Sequence, residues 1–96
     1  MMKIDKEMLE KIINEVRESG ADKKITLTCD GYIKLEFDML EYNLEPYPVC
    51  NVYLYDLKDN LIKNLFVTDI KKGNIVTEGS IDEIFKSCEF LDANIE

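Results

Sequence analysis

The sequence predicts an α+β fold: an N-terminal helix, a mainly antiparallel meander sheet of four to five strands, and a C-terminal helix, with both helices packed on one face of the sheet. Three observations carry this expectation. Apolar residues recur at three- and four-residue intervals near the N-terminus, the period drops to two from Lys24 onwards, and a helix-start signature opens at Ser80 with a second stripe behind it. The 96 residues are read as one domain, 1–96, long enough for a single hydrophobic core and too short for two.

The first helix is expected over about residues 5–19. Ile4, Met8, Leu9, Ile12, Ile13 and Val16 form its apolar stripe, Asp5 serves as N-cap and Ser19-Gly20 as the stop. Ile25, Leu27 and Cys29, then Ile33, Leu35, Phe37 and Met39, alternate with Thr26, Thr28, Lys34, Glu36 and Asp38, which predicts two half-buried strands. Residues 41–48 hold both prolines of the chain, each without an N–H to donate, so this stretch is expected to be the longest loop. Val49 to Leu57 and Leu61 to Ile70 supply two further strands, a turn at Lys71-Lys72-Gly73-Asn74 follows, and Ile75-Val76-Thr77 makes a short last strand. Ser80-Ile81-Asp82-Glu83 reads as a capping box, and Ile81, Ile84, Phe85, Cys88, Leu91 and Ile95 lie on one stripe of the helix it starts.

Alternation also predicts strand registers. A three-residue loop Cys29-Asp30-Gly31 pairs Leu27 with Ile33, Ile25 with Leu35, Lys24 with Glu36 and Thr28 with Tyr32, which keeps apolar residues on one face. A two-residue Asp59-Asn60 loop pairs Leu54 with Leu65 and Val52 with Val67 on one face, and Tyr53 with Phe66 and Leu57 with Ile62 on the other. The helices are expected on the Leu27, Leu35, Leu54 and Val67 side. Tyr53, Tyr55 and Phe66 are then left without cover, to be met by a second copy, by the proline loop or by a partner.

Composition narrows the function classes. No apolar run reaches the roughly 18 to 20 residues of a membrane span, and the N-terminus carries no secretion signal, so a cytoplasmic location is expected. Three widely spaced cysteines without a Cys-x-x-Cys pair suit free thiols in a reducing compartment. Lysine outnumbers arginine 11 to 1, as in the proteins of AT-rich bacterial or phage genomes. The net charge of −8 repels nucleic acid and anionic membranes and favours a protein partner with a basic surface; the same charge also serves solubility. It is unevenly spread, since residues 35–57 hold five acidic and no basic groups.

Chemistry has few candidates. The absence of histidine removes His-based general bases, the familiar nucleophile triads and His-containing zinc sites. No phosphate-binding glycine motif occurs, and the sequence suggests no catalytic residue, metal or cofactor. Asp82 and Glu83 belong to a helix start, and Asp56-x-x-Asp59-Asn60 reads as a turn because it lacks the alternating ligands and terminal Glu of a calcium loop. Residues 70–86, IKKGNIVTEGSIDEIFK, resemble a segment late in ABC-transporter ATPase domains, where a lysine-glycine hairpin, a Gly-Ser/Thr step and a helix follow one another. The resemblance covers 17 of 96 residues, lacks the phosphate loop, signature motif and switch histidine, and transfers no function.

What remains is binding. Glu36, Asp38, Glu41 and Glu45 with Tyr42 and Tyr47 offer negative charge beside rigid amphipathic rings, and Tyr53, Tyr55 and Phe66 add an uncovered aromatic face. The expectation is a small acidic non-enzymatic protein that binds another protein, such as an inhibitor, immunity or nucleic-acid-mimic protein of phage or mobile-element origin. The alternatives are a small-molecule-binding domain or enzyme with a pocket between sheet and helices, and a homodimer joined through the Tyr53/Phe66 face.

Overall fold

A computed structural model describes residues 2–28, 31–68, 75–76, 84–86 and 89–96, with the backbone alone at 42, 65–68 and 75–76. The elements run β1 (Met2–Ile4), α1 (Lys6–Ser19), β2 (Lys23–Leu27), β3 (Gly31–Tyr42), β4 (Glu45–Tyr55), β5 (Leu61–Thr68), β6 (Ile75–Val76) and β7 (Leu91–Ile95). Neighbouring strands are antiparallel throughout, in the order β1-β7-β2-β3-β4-β5-β6. From β2 to β6 the sheet is a meander. The C-terminal β7 then returns to lie between β1 and β2.

α1 forms where the periodicity places it. Asp5 caps it through a 2.8 Å bond from the Met8 amide, and Gly20 ends it in the left-handed region at φ 72°, its N–H reaching the Val16 carbonyl. Leu9, Ile12, Ile13 and Val16 are buried against Ile25, Ile33, Leu35, Cys50, Val52 and Ala93 of the sheet, with Ile4 completing the cluster. Each large side chain so buried contributes about 1.5–3 kcal/mol relative to exposure, so this layer holds the fold together. Ile84 and Phe85 pack against the same cluster.

The expected C-terminal helix is corrected. Leu91–Ile95 is a strand, pairing Leu91 with Ile4 and Ala93 with Met2 on one side, and Ile95 with Ile25 and Ala93 with Leu27 on the other. Leu91, Ala93 and Ile95 alternate with Asp92 and Asn94, so the segment fits period two as well as the helical stripe, and Asp and Asn are poor in helix interiors. β1 was hidden for the same reason, as a three-residue Met-Lys-Ile alternation in front of a stronger helical pattern. The helix start at Ser80, its capping box, Cys88 and the Lys71–Asn74 turn lie outside the described residues. The sheet thus has six strands in one ladder, and two-residue β6 extends it from β5, in place of four or five strands between two helices.

The proline stretch is corrected too. β3 and β4 pair without a break from Tyr32–Tyr55 to Tyr42–Glu45, closed by Asn43 and Leu44 at φ 50° and 64°. A two-residue turn makes Tyr42–Glu45 a hydrogen-bonded pair, so Glu41–Pro46 and Met39–Pro48 are non-hydrogen-bonded pairs whose backbone groups point away from the hairpin. The prolines therefore sit where no ladder donor is missed. Arg17 Nε donates to the outward Pro48 carbonyl at 3.2 Å, tying this edge to α1.

Both expected registers shift. β2 pairs Leu27 with Gly31, Ile25 with Ile33 and Lys23 with Leu35, so the three connecting residues are 28–30 and not 29–31. The shift is by two residues in the sum of positions, which preserves parity and leaves every side chain on its expected face. In the second hairpin Tyr53 pairs with Asn64, Leu54 with Lys63 and Tyr55 with Leu61, and Val52 pairs with Phe66 across two irregularities. The reason is the loop. Asp56 receives bonds from Lys58 N and Asn60 N at 2.8 and 2.9 Å on one carboxylate oxygen, which closes 56–60 as a turn longer than Asp59-Asn60 alone.

Candidate functional site

Strand alternation sorts the acidic and aromatic residues between two faces. α1 covers the face of Ile25, Ile33, Leu35, Cys50 and Val52. Along β3 and β4 the opposite parity belongs to Tyr32, Lys34, Glu36, Asp38, Leu40, Tyr42, Glu45, Tyr47, Val49, Asn51, Tyr53 and Tyr55. Of the residues expected to bind a partner, Glu36, Asp38, Tyr42, Glu45, Tyr47, Tyr53 and Tyr55 therefore share one sheet face. Glu41 does not, because it stands opposite Pro46 in the other parity. Phe66 also leaves the group, since its register partner is Val52 and not Tyr53.

At the end of this face where the β3–β4 ladder begins lies a tyrosine cluster. Tyr32 and Tyr55, cross-strand partners, stack with ring centroids 4.9 Å apart and planes 12° from parallel. Tyr53, two residues before Tyr55 on β4, meets it at 6.5 Å with a 54° tilt. The Lys24 ammonium sits over the Tyr32 ring, 4.4 Å from its centroid, and Lys34 pairs with Glu36 at 3.3 Å. Val49, on the same face near Asp38, is buried, while Asp38 itself is exposed and takes a bond from Met39 N.

Electrostatics follow from this packing. A hydrogen bond to the Asp59 carboxylate, then burial and the nearby negative charge, raise the Tyr32 phenol above its ordinary value. Burial raises that of Tyr53, with Glu36, Tyr55 and Asp38 adding to it. The Glu36 carboxylate raises the Lys34 ammonium and keeps it charged. A phenolate at Tyr32 or Tyr53 is thus disfavoured at neutral pH. Cys50, a free and buried thiol, is pushed up to about 12 chiefly by desolvation.

Sequence reasoning missed Tyr32, Lys24 and Lys34 as members of the face. The acidic count over 35–57 runs along the chain, whereas β2 and the start of β3 bring lysines to the cluster from outside that window. Parity held the signal, since Lys24, Tyr32 and Lys34 alternate with Ile25, Ile33 and Leu35. Beside them lies a shallow open cleft of about 380 Å³ lined by Asp22, Lys23, Lys24, Tyr32, Lys34 and Glu96. The Asp56-x-x-Asp59-Asn60 segment is a turn, as its sequence indicates, with Asp56 occupied by backbone and Asn60 donors. Among the described residues no group of three or more His, Cys, Asp or Glu is placed to hold a metal ion, and no helix is long and apolar enough to cross a membrane. Cys29 lies outside the described residues.

Compared with models of known protein families, with curated proteins and with solved structures, the chain matches none.

Proposed function

We propose that this is a small acidic, non-enzymatic protein that binds another protein, and that the sheet face opposite α1 meets a basic surface on it. One observation supports this most: Tyr32, Tyr53 and Tyr55 form a contiguous half-buried cluster, with Glu36 and then Asp38 following along β3 on the same face, which α1 does not cover. Packed tyrosines give a partner rigid contact area, and the carboxylates give charge complementarity. A net charge of −8 speeds encounter with a basic target, as an inhibitor, immunity or nucleic-acid-mimic protein of phage or mobile-element origin requires. A cytoplasmic setting belongs to this reading, and the unpaired buried Cys50 agrees with it.

The small-molecule alternative needs space between sheet and helix. Among the described residues that layer is filled by Leu9, Ile13, Val16, Ile25, Ile33 and Leu35, each at 0% exposure, which favours the docking face. The homodimer alternative loses the Tyr53–Phe66 pair on which it was built.

The test is capture from native lysate by three immobilised chains: wild type, Glu36→Lys/Asp38→Lys, and the control Glu7→Lys/Glu18→Lys on the exposed side of α1. A specific protein held in low salt, released in high salt and lost only in the Glu36/Asp38 variant supports the reading. Capture that ignores salt, or loss in the control alone, refutes it.

A further inference from the structure

The same face carries a feature that specifies which partner group it takes, and the inference rests on the docking face proposed above. We infer that the Tyr53 ring, with Glu36 diagonal to it across the β3–β4 ladder, is a seat for an arginine side chain of the basic partner.

The first support is that the cluster already holds a cation of its own. Lys24 lies 4.4 Å over the Tyr32 ring, and Tyr32 in turn stacks on Tyr55, so an ammonium occupies the β2 end of the aromatic row. Tyr53, at the other end of the row, meets Tyr55 at a 54° tilt, and no lysine lies over its ring among the described residues. The second support is charge. Lys34 stands opposite Tyr53 across the ladder and is neutralised by Glu36 at 3.3 Å, and the next charged residue of β3 on this face is the exposed Asp38. Burial raises the Tyr53 phenol first, and the negative charge of Glu36, with Tyr55 and Asp38, adds to it against the opposing Lys34.

A guanidinium suits this place better than an ammonium. It is planar and weakly hydrated, so it stacks on a ring while its N–H fork reaches a carboxylate in two parallel bonds. The Lys34–Glu36 pair is half-exposed on both sides and holds Glu36 only weakly, so an incoming fork displaces the single ammonium contact. The partner is therefore a protein that presents arginine, not merely positive charge.

The experiment is a calorimetric titration of the full chain with hexa-arginine and with hexa-lysine at one fixed ionic strength. Wild type is expected to bind hexa-arginine about two- to fivefold more tightly, the span of one exposed cation–π contact. Tyr53→Leu removes that preference, and Tyr53→Phe, which keeps the ring, retains it; circular dichroism of both variants verifies that the sheet is intact. Equal affinities in wild type, or a preference unchanged in Tyr53→Leu, overturn the arginine seat. Salt-sensitive binding of both peptides with equal strength does so while leaving the basic-partner reading in place, and no binding of either peptide overturns both.

Discussion

Gly31 lies against the backbone of Tyr55 so closely that a Cβ on it would overlap the Tyr55 carbonyl oxygen and stand 2.9 Å from Asp56 Cα. Its φ of 112° is also one that side-chain-bearing residues rarely adopt. The first pair of the β3–β4 ladder, Tyr32 with Tyr55, is next to this contact, so glycine at 31 sets the approach that lets the two rings stack. Gly31→Ala combines a backbone clash with a strained dihedral and is expected to cost about 3 kcal/mol or more in urea unfolding. A loss below about 1 kcal/mol would show that the two strands separate there without penalty.

The turn between β3 and β4 holds a residue that can be improved. Leu44 takes φ 64° and is 90% exposed, so its side chain bears the left-handed penalty and packs on nothing that offsets it. Asn-Gly is the favoured pair for such a turn. Leu44→Gly is expected to stabilise by about 0.5–1 kcal/mol after the added freedom of the unfolded chain is discounted, a rise of a few degrees in Tm. An unchanged or lowered Tm contradicts the turn geometry.

Pro46 and Pro48 protect an edge. Among the described residues no strand pairs with Glu45–Asn51 on the side away from β3, and at the two outward positions 46 and 48 proline offers no N–H to an incoming strand. Pro46→Thr/Pro48→Thr restores two donors in a strand-forming sequence. Sedimentation velocity should then show species larger than those of wild type, increasing with concentration. Identical profiles at every concentration would mean that the prolines do not guard this edge.

How much of this was legible depended on whether local pattern and tertiary demand agreed. α1, with Asp5 and Gly20 at its ends, is specified by periodicity and capping within the segment, and the helix-facing residues of β2, β3 and β4 follow from alternation. Leu91–Ile95 was not legible, because five residues fit both periods and only the open side of β2 decides between them. Pro46 and Pro48 misled because the penalty for proline depends on which side of a strand its nitrogen faces, a property of register and not of composition. Of the face proposed to bind, Glu36 and Asp38 were legible from the acidic stretch and Tyr53 and Tyr55 from strand alternation. Lys24, Lys34 and Tyr32 were overlooked because sequence windows do not add charge across strands.

Asp56 links the loop to pH. Two backbone amides and the Asn60 side chain donate to its carboxylate, and these bonds hold its pKa below the ordinary aspartate value. A depressed folded-state pKa contributes stability that is fully present above the unfolded value and is lost as pH falls through the folded one, so the turn loosens only below about pH 4. Amide shifts of Lys58 and Asn60 are expected to titrate with a midpoint lower than that of a free aspartate. Asp56→Ala removes the turn bonds at all pH values and abolishes this transition, whereas a midpoint at or above the free value in wild type would contradict the bonding.

The central claim is that the face opposite α1, and no other surface, receives a basic partner. The most direct measurement is a set of carbon–proton NMR spectra of tyrosine rings and apolar methyl groups, recorded while hexa-arginine is added to the full chain. The ring resonances of Tyr32, Tyr53 and Tyr55 are expected to move in a saturable way, while the methyls of Leu9, Ile13 and Val16 stay in place. Stationary tyrosines with shifts confined to residues of α1 would contradict it.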